Sequence, residues 1–274
     1  MIRLCALLPA ATPDETLAMA ERLRLWGTGL QFPPGTSETE AAAVGRRFRD
    51  AGVRLIRVGD DQNLSTPVEA VREAAVRALR RTLALAVAAG ALAACSGAGH
   101  CDPDRAAEPR AAHPGNFGDE ALDRLARSCR EILDGAGGAS RLLLQTSALT
   151  SLDSLLRAAE TVRRVASPAF GLVFDPVSLI HLDNYFDNGS FLRRGVQQLG
   201  AAIGIVVARD TLLHPEGFSY RLTEQPIGRG AIDHPALLEA LAALPGDVPL
   251  CVERVSSEAE AAAALAHLAA LLAS

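Results

Sequence analysis

The sequence contains no lysine: all 27 of its basic side chains are arginine. Schiff-base aldolases and pyridoxal-phosphate enzymes need a lysine amine as their covalent handle, so that chemistry is excluded. A phosphate-binding P-loop is excluded for the same reason. Nor is there a dinucleotide fingerprint. Gly97-Ala98-Gly99 follows a strand-like run but lacks the third glycine and a suitably spaced acid, so no NAD site is expected. Positive charge is not in excess either. A formal net charge of −5 lacks the basic footprint that a nucleic-acid partner usually leaves. No apolar run exceeds about 18 residues, so no membrane span is expected. The Ala- and Leu-rich stretch 82–95 is broken by Gly90. The first residues hold one arginine and run straight into a strand-like pattern, so no signal peptide is expected. The five cysteines (Cys5, Cys95, Cys101, Cys129 and Cys251) form no CxxC pair. They read as buried small hydrophobes in a reducing cytoplasm.

What is present is alternation. Hydrophobic residues at 49% and charged residues at 22% describe a globular chain with a sizeable core. Strand-like runs at 2–8, 29–32, 53–58, 91–96, 141–145, 170–174, 203–208 and 249–252 alternate with helical patterns. The helices are expected at 13–26, 37–51, 67–89, 119–136, 151–165, 191–199, 233–243 and 257–273. Start signals support them: Ser37 with Glu40 at capping-box spacing, Pro67 and Pro235 in first turns, and Asp233 before its helix. The segments 97–118, 180–189 and 211–230 read as polar loops. Eight strand–helix units predict a parallel sheet covered by helices. At this length they predict one (β/α)8 TIM barrel over residues 1–274. A doubly wound open sheet is the alternative, with usually fewer strands.

A (β/α)8 barrel keeps its chemistry at the carboxyl ends of its strands. The residues there are Asp60 and Asp61, His100 and Asp102, Gln145, Asp175, Arg209 and Asp210, and Glu253. Asp175 and Glu253 stand directly at the ends of strongly apolar runs. A carboxylate buried there is costly unless it is paired or bound to a cation. Two that converge on one mouth suit a divalent metal with oxygen ligands. The competing readings are that Asp175 caps the next turn and that Glu253 pairs with Arg254 or Arg209.

The later two thirds of the chain, from about residue 91, resemble the xylose-isomerase-like barrels of the sugar isomerase/epimerase superfamily. The matching stretches are 113–120 (HPGNFGDE), 174–179 (FDPVSL), 185–189 (YFDNG), 224–230 (EQPIGRG) with Ile232-Asp233, and 249–253 (PLCVE). The resemblance implies a small carbohydrate-like substrate and a divalent metal such as Mn, Mg, Zn or Co. The family usually holds that metal with a Glu at strand five, an Asp after strand six, a His at strand seven and a Glu at strand eight. Asp175 and Glu253 match two of these positions; Gln145 and Val207 depart from the other two.

The resemblance therefore implies Glu253 as acid/base, with Asp175 and Glu253 as metal ligands and Glu224 as a replacement ligand. Gln145, Arg209, Glu224 and His100 are the candidates for substrate contacts. Gln145 carries no carboxylate and cannot act as a base, so a two-base epimerisation is impaired. The alternative is a degenerate barrel that binds a ligand or a protein partner without isomerase chemistry. The superfamily's endonuclease branch agrees poorly with the negative charge. Barrels of this kind often pair as homodimers, and the sequence shows no interface of its own.

Overall fold

The computed structural model describes residues 1–137 and 140–273. Its strands are β1 (Ile2–Ala6), β2 (Gly27–Leu30), β3 (Arg54–Gly59), β4 (Ala93–Ser96), β5 (Arg141–Gln145), β6 (Phe170–Phe174), β7 (Ile203–Ala208), β8 (Asp210–Glu216), β9 (Ser219–Gln225) and β10 (Val248–Val252). Its helices are α1 (Pro13–Arg22), α2 (Glu38–Asp50), α3 (Glu69–Ala89), α4 (Asp119–Leu133), α5 (Leu155–Val165), α6 (Leu182–Tyr185), α7 (Asn188–Leu199), α8 (His234–Ala242) and α9 (Glu258–Ala273). Eight parallel strands close into a barrel in the order β1-β10-β7-β6-β5-β4-β3-β2. The (β/α)8 TIM barrel expected from the alternation is thus the fold. No helix among the described residues is long and apolar enough to cross a membrane.

Alternation along each strand builds two cores. Val173 and Leu143 point into the lumen with Cys5, Cys251 and Val207. Their neighbours Leu142, Leu144, Leu172 and Phe174 point outward against the helices. Both faces are buried, which is why these strands read as unbroken apolar runs. The helices start where their caps are. Thr12 with Glu15 and Ser37 with Glu40 form capping boxes. Gly90 ends α3 in the left-handed conformation, with φ of 69°.

Several expectations shift. β2 occupies 27–30 rather than 29–32, and α1 ends at Arg22 rather than at 26. α5 starts at Leu155 with Ser154 as its cap rather than at 151, and the expected loop 180–189 holds α6 and the start of α7. The larger difference lies between β7 and α8. The segment expected as a polar loop folds into an antiparallel hairpin, β8 with β9, in register from Asp210↔Gln225 to Glu216↔Ser219. Its turn carries Gly217 at φ 61°. The hairpin is wet on most of its surface, so its strands lack the apolar signature of the barrel strands.

Candidate functional site

Side chains at the carboxyl ends of the strands meet above the lumen. Val173, Cys251, Leu143 and Val207 face inward. Two residues further along, Asp175, Glu253, Gln145 and Arg209 emerge on the same face at the mouth. Arg57 joins them from β3 by another route. Thr28 pairs with Leu55 and Gly29 with Arg57, so Ile56 is an extra residue on β3. Ile56 fills the lumen, and the bulge turns the next side chain to the mouth as well. Strict alternation would send Arg57 to the helix side, which is why the sequence pattern does not reveal it.

These five groups form one network. Arg57 Nη1 donates to Glu253 Oε1 at 2.9 Å. Arg209 Nη2 donates to Asp175 Oδ2, and its Nη1 lies 3.4 Å from Glu224 Oε1. Gln145 Nε2 donates to Asp175 Oδ2 at 3.1 Å and lies 3.5 Å from Glu253 Oε2. Only its N–H end suits two carboxylates, because the amide oxygen would be repelled. The Ser178 amide donates to Asp175 Oδ1 at 3.2 Å, and Thr146 Oγ1 ties the Asp175 backbone at both N and O. So Asp175 does cap the following turn, and it also faces the mouth. Glu253 pairs with Arg57 rather than with Arg254 or Arg209.

Burial pushes the Glu253 carboxyl above the usual range. Asp175 pushes the same way, while Arg57, Arg209 and Gln145 pull it back. Burial works against the charges of Arg57 and Arg209. Cys95, Glu253, Cys251 and Asp61 around Arg57, and the Asp175 and Glu224 carboxylates beside Arg209, outweigh it, and both stay protonated. Arg209 Nε is buried and has no hydrogen-bond partner among the described residues. Arg254, directly after Glu253, takes a left-handed φ of 57° that turns the chain off the strand.

The remaining candidates lie elsewhere. Glu224, on β9, is a partly exposed rim residue, with Arg254 Nε 3.9 Å from its other oxygen. His100 is buried in the loop after β4. Its Nε2 lies 2.9 Å from the Glu108 carbonyl and 3.1 Å from Asn63 Nδ2, and its Nδ1 accepts from the Asp102 amide at 3.1 Å. That makes it a rivet of the loop, outside the network. Asp61 accepts from the Gly97 amide at 3.0 Å, and Asp60 accepts from Gln62 at 2.9 Å. Both brace loops.

Two cavities flank the Arg57–Glu253 pair. One of about 490 Å³ lies over β1–β3, lined by Arg57 together with Leu8, Thr12, Gln31 and Phe32. The other, of about 300 Å³, lies between the hairpin and α9, lined by Arg209, Glu224, Ile227, Glu253 and Arg254. Arg57 borders the first cavity and Glu253 the second.

Fold and mouth together define a (β/α)8 barrel with two acids, an amide and two guanidinium groups at its strand ends. The chain belongs to the xylose isomerase-like TIM barrel family, whose pattern it matches over residues 20–271. The match reaches well ahead of residue 91, where the resemblance in the sequence begins. Among curated proteins no match was found. Several solved structures are similar. D-psicose 3-epimerase from Clostridium cellulolyticum H10 shares 14% identity over 98% of this chain and 99% of its own, with a TM-score of 0.76. The IOLI protein, solved with a binding zinc atom, shares 16% over 97% and 96%, with a TM-score of 0.73. A xylose isomerase domain protein from Planctomyces limnophilus shares 18% over 99% and 95%, with a TM-score of 0.72. At these identities the likeness establishes the fold.

The divalent metal implied by the family resemblance does not suit these donors. Val207 is a fully buried lumen side chain with no lone pair to offer. Gln145 turns its N–H, not its oxygen, to the acids. Asp175 and Glu253 each hold an arginine, and Arg209 bridges Asp175 and Glu224. Among the described residues no group of three or more His, Cys, Asp and Glu side chains could hold a metal ion. A divalent ion about 4 Å from one guanidinium would meet roughly 8 kcal/mol of repulsion at an effective dielectric of about 20. Two carboxylates already neutralised by arginine offer little against that.

Proposed function

We propose that the protein is an isomerase of the sugar isomerase/epimerase type, acting on a small polyhydroxy carbonyl compound with Glu253 as the acid/base. The observation that carries this reading is the setting of Glu253. It is a buried carboxylate at a strand end, bordering a cavity, with its carboxyl pushed up by burial and held between Arg57 and Gln145. A base whose pKa is raised toward the working pH is effective in both directions of proton transfer.

In the proposed step the Glu253 carboxylate takes the proton from the carbon beside the carbonyl. The C–H electron pair becomes the C=C of an enediolate, and the carbonyl π pair moves onto its oxygen. The hydroxyl proton shifts between the two oxygens, and Glu253 returns its proton to the neighbouring carbon. Nothing is oxidised or reduced overall. One base working from one face supports a shift between adjacent carbons rather than a two-base inversion. Asp175 is a poor second base, since Arg209, Gln145 and the Ser178 amide already hold it. Gln145, Arg209 and Glu224 are the proposed hydroxyl contacts, and His100 contributes through the loop it fixes.

A second reading has its own observation: every mouth carboxylate is already paired, which suits a binding barrel without chemistry. One experiment separates the two. The protein is incubated in D2O with a panel of aldoses, ketoses and inososes, and loss of the C–H signal is followed by proton NMR. Exchange is expected for at least one compound, with Glu253→Gln slower by about 10²-fold or more. Undiminished exchange in Glu253→Gln rejects the role of Glu253. If no compound shows either exchange or a new isomer signal, the binding barrel is favoured.

A further inference from the structure

Two buried carboxylates at one mouth require positive charge, and this chain supplies it covalently. The Arg57 and Arg209 side chains are 12% and 9% exposed, and each is hydrogen-bonded to one of the two acids. Arg57 comes to the mouth only because of the bulge at Ile56. Gln145 adds an N–H toward both acids where a carboxylate would have added negative charge. Val207 leaves a hydrocarbon at the remaining position. The two departures from the family pattern, Gln145 and Val207, each remove a ligand, and the two guanidinium groups supply the positive charge.

We propose that Arg57 and Arg209 stand in place of a divalent cation, so that the mouth neutralises Asp175 and Glu253 with guanidinium groups and binds no metal. Spare donors remain for a ligand. Arg57 borders the larger cavity, and Arg209 Nε is buried without an acceptor among the described residues. Their chemistry is that of a carbonyl or alkoxide oxygen, held by N–H groups that need no reorganisation as charge develops on it. The catalytic half of this statement rests on the isomerase reading; the metal half does not.

The test is a titration of the full-length protein, freed of adventitious metal with chelator, with Mn²⁺ to 1 mM, followed by electron paramagnetic resonance of the free ion. The native protein is expected to bind less than about a tenth of an ion per chain, and its melting temperature is expected not to move. Arg209→Met removes the guanidinium from Asp175 and is expected to gain at least about tenfold in Mn²⁺ affinity. Arg209→Lys, which keeps the charge, is expected to stay blind to the ion. If Arg209→Met does not fold, Arg209→Gln, which keeps an N–H toward Asp175, gives the same reading. Stoichiometric binding by the native protein overturns the proposal. So does a folded charge-removing variant that remains as blind to Mn²⁺ as the native chain. Neither result bears on Glu253→Gln exchange, so a failure here leaves the isomerase reading to its own experiment.

Discussion

Asp210 accepts four backbone hydrogen bonds. The Thr211 and Ile232 amides donate to Oδ1, and the Gly228 and Gly230 amides donate to Oδ2, all at 2.9–3.0 Å. A Cβ on Gly230 would lie 2.2 Å from Oδ1, so the stretch 224–230 needs its glycine for this close approach. Two features that look separate in sequence, a strand-end acid and a glycine-rich loop, are one brace. It carries the rim on which Arg209 sits. His234 supports Arg209 from below. It is 2% exposed, and its Nε2 lies 3.1 Å from the Arg209 carbonyl, which can only accept, so Nε2 carries the proton. Burial lowers its pKa; Asp210, the Arg209 carbonyl and Asp233 pull it up, and His267 adds to the lowering. The folded protein therefore keeps the ring neutral after the unfolded chain has begun to take up its proton, below about pH 6.5. The stability that this ring contributes is complete above that pH and is lost as pH falls toward the folded pKa. Urea unfolding between pH 7.5 and 5 should show a steeper decline for the native protein than for His234→Gln. Parallel curves would show that the ring charges freely in the folded state.

At the scale of elements, α2 meets α3 at Gly45. A Cβ there would lie 1.9 Å from the Ala89 carbonyl oxygen, against backbone that cannot step aside. Intrinsic propensity favours alanine over a mid-helix glycine by about 1 kcal/mol. The contact decides the sign instead. Gly45→Ala should destabilise the fold by about 2 kcal/mol, as overpacking does, measured as a lowered midpoint in urea at an unchanged slope. A raised midpoint would mean that α2 slides freely on α3. Elements of this buried kind are those the sequence discloses. The barrel strands read as apolar runs, and the helices carry their caps in plain sight, Ser37 with Glu40 among them. The hairpin β8–β9 is not legible, because it is half wet and too short of apolar residues to separate from a loop. The candidate site divides in the same way. Asp175, Glu253, Gln145 and Arg209 follow from strand ends and do converge. Arg57 depends on a one-residue bulge that alternation hides. His100 has a site-like residue type and position, but it is spent on hydrogen bonds within its own loop.

At the scale of the molecule, closure of the barrel distributes the five cysteines between its lumen, its outer core and the loop after β4. Cys5, Cys95 and Cys251 stand in the lumen, Cys129 between α4 and the sheet, and Cys101 under the loop after β4. All five are free thiols and all are buried, none more than 3% exposed. In four of them burial also disfavours the thiolate. The Cys5 thiol is pushed up to about 12 and that of Cys95 to about 11, and burial raises those of Cys129 and Cys251 as well. Thiol reagents act on the thiolate. For the three lumen thiols both access and ionisation therefore depend on opening the closed sheet, which cannot release one strand without breaking two neighbouring ladders. Titration with an aromatic disulfide reagent at pH 8 should find fewer than one reactive thiol per native chain and all five in denaturant. In intermediate urea the five should become reactive together, at the midpoint seen by far-UV circular dichroism. A single thiol reacting well before that midpoint would show that one sector of the barrel opens independently. Cys101 would point to the loop held by His100, and Cys5 or Cys251 to the β1–β10 seam that closes the sheet.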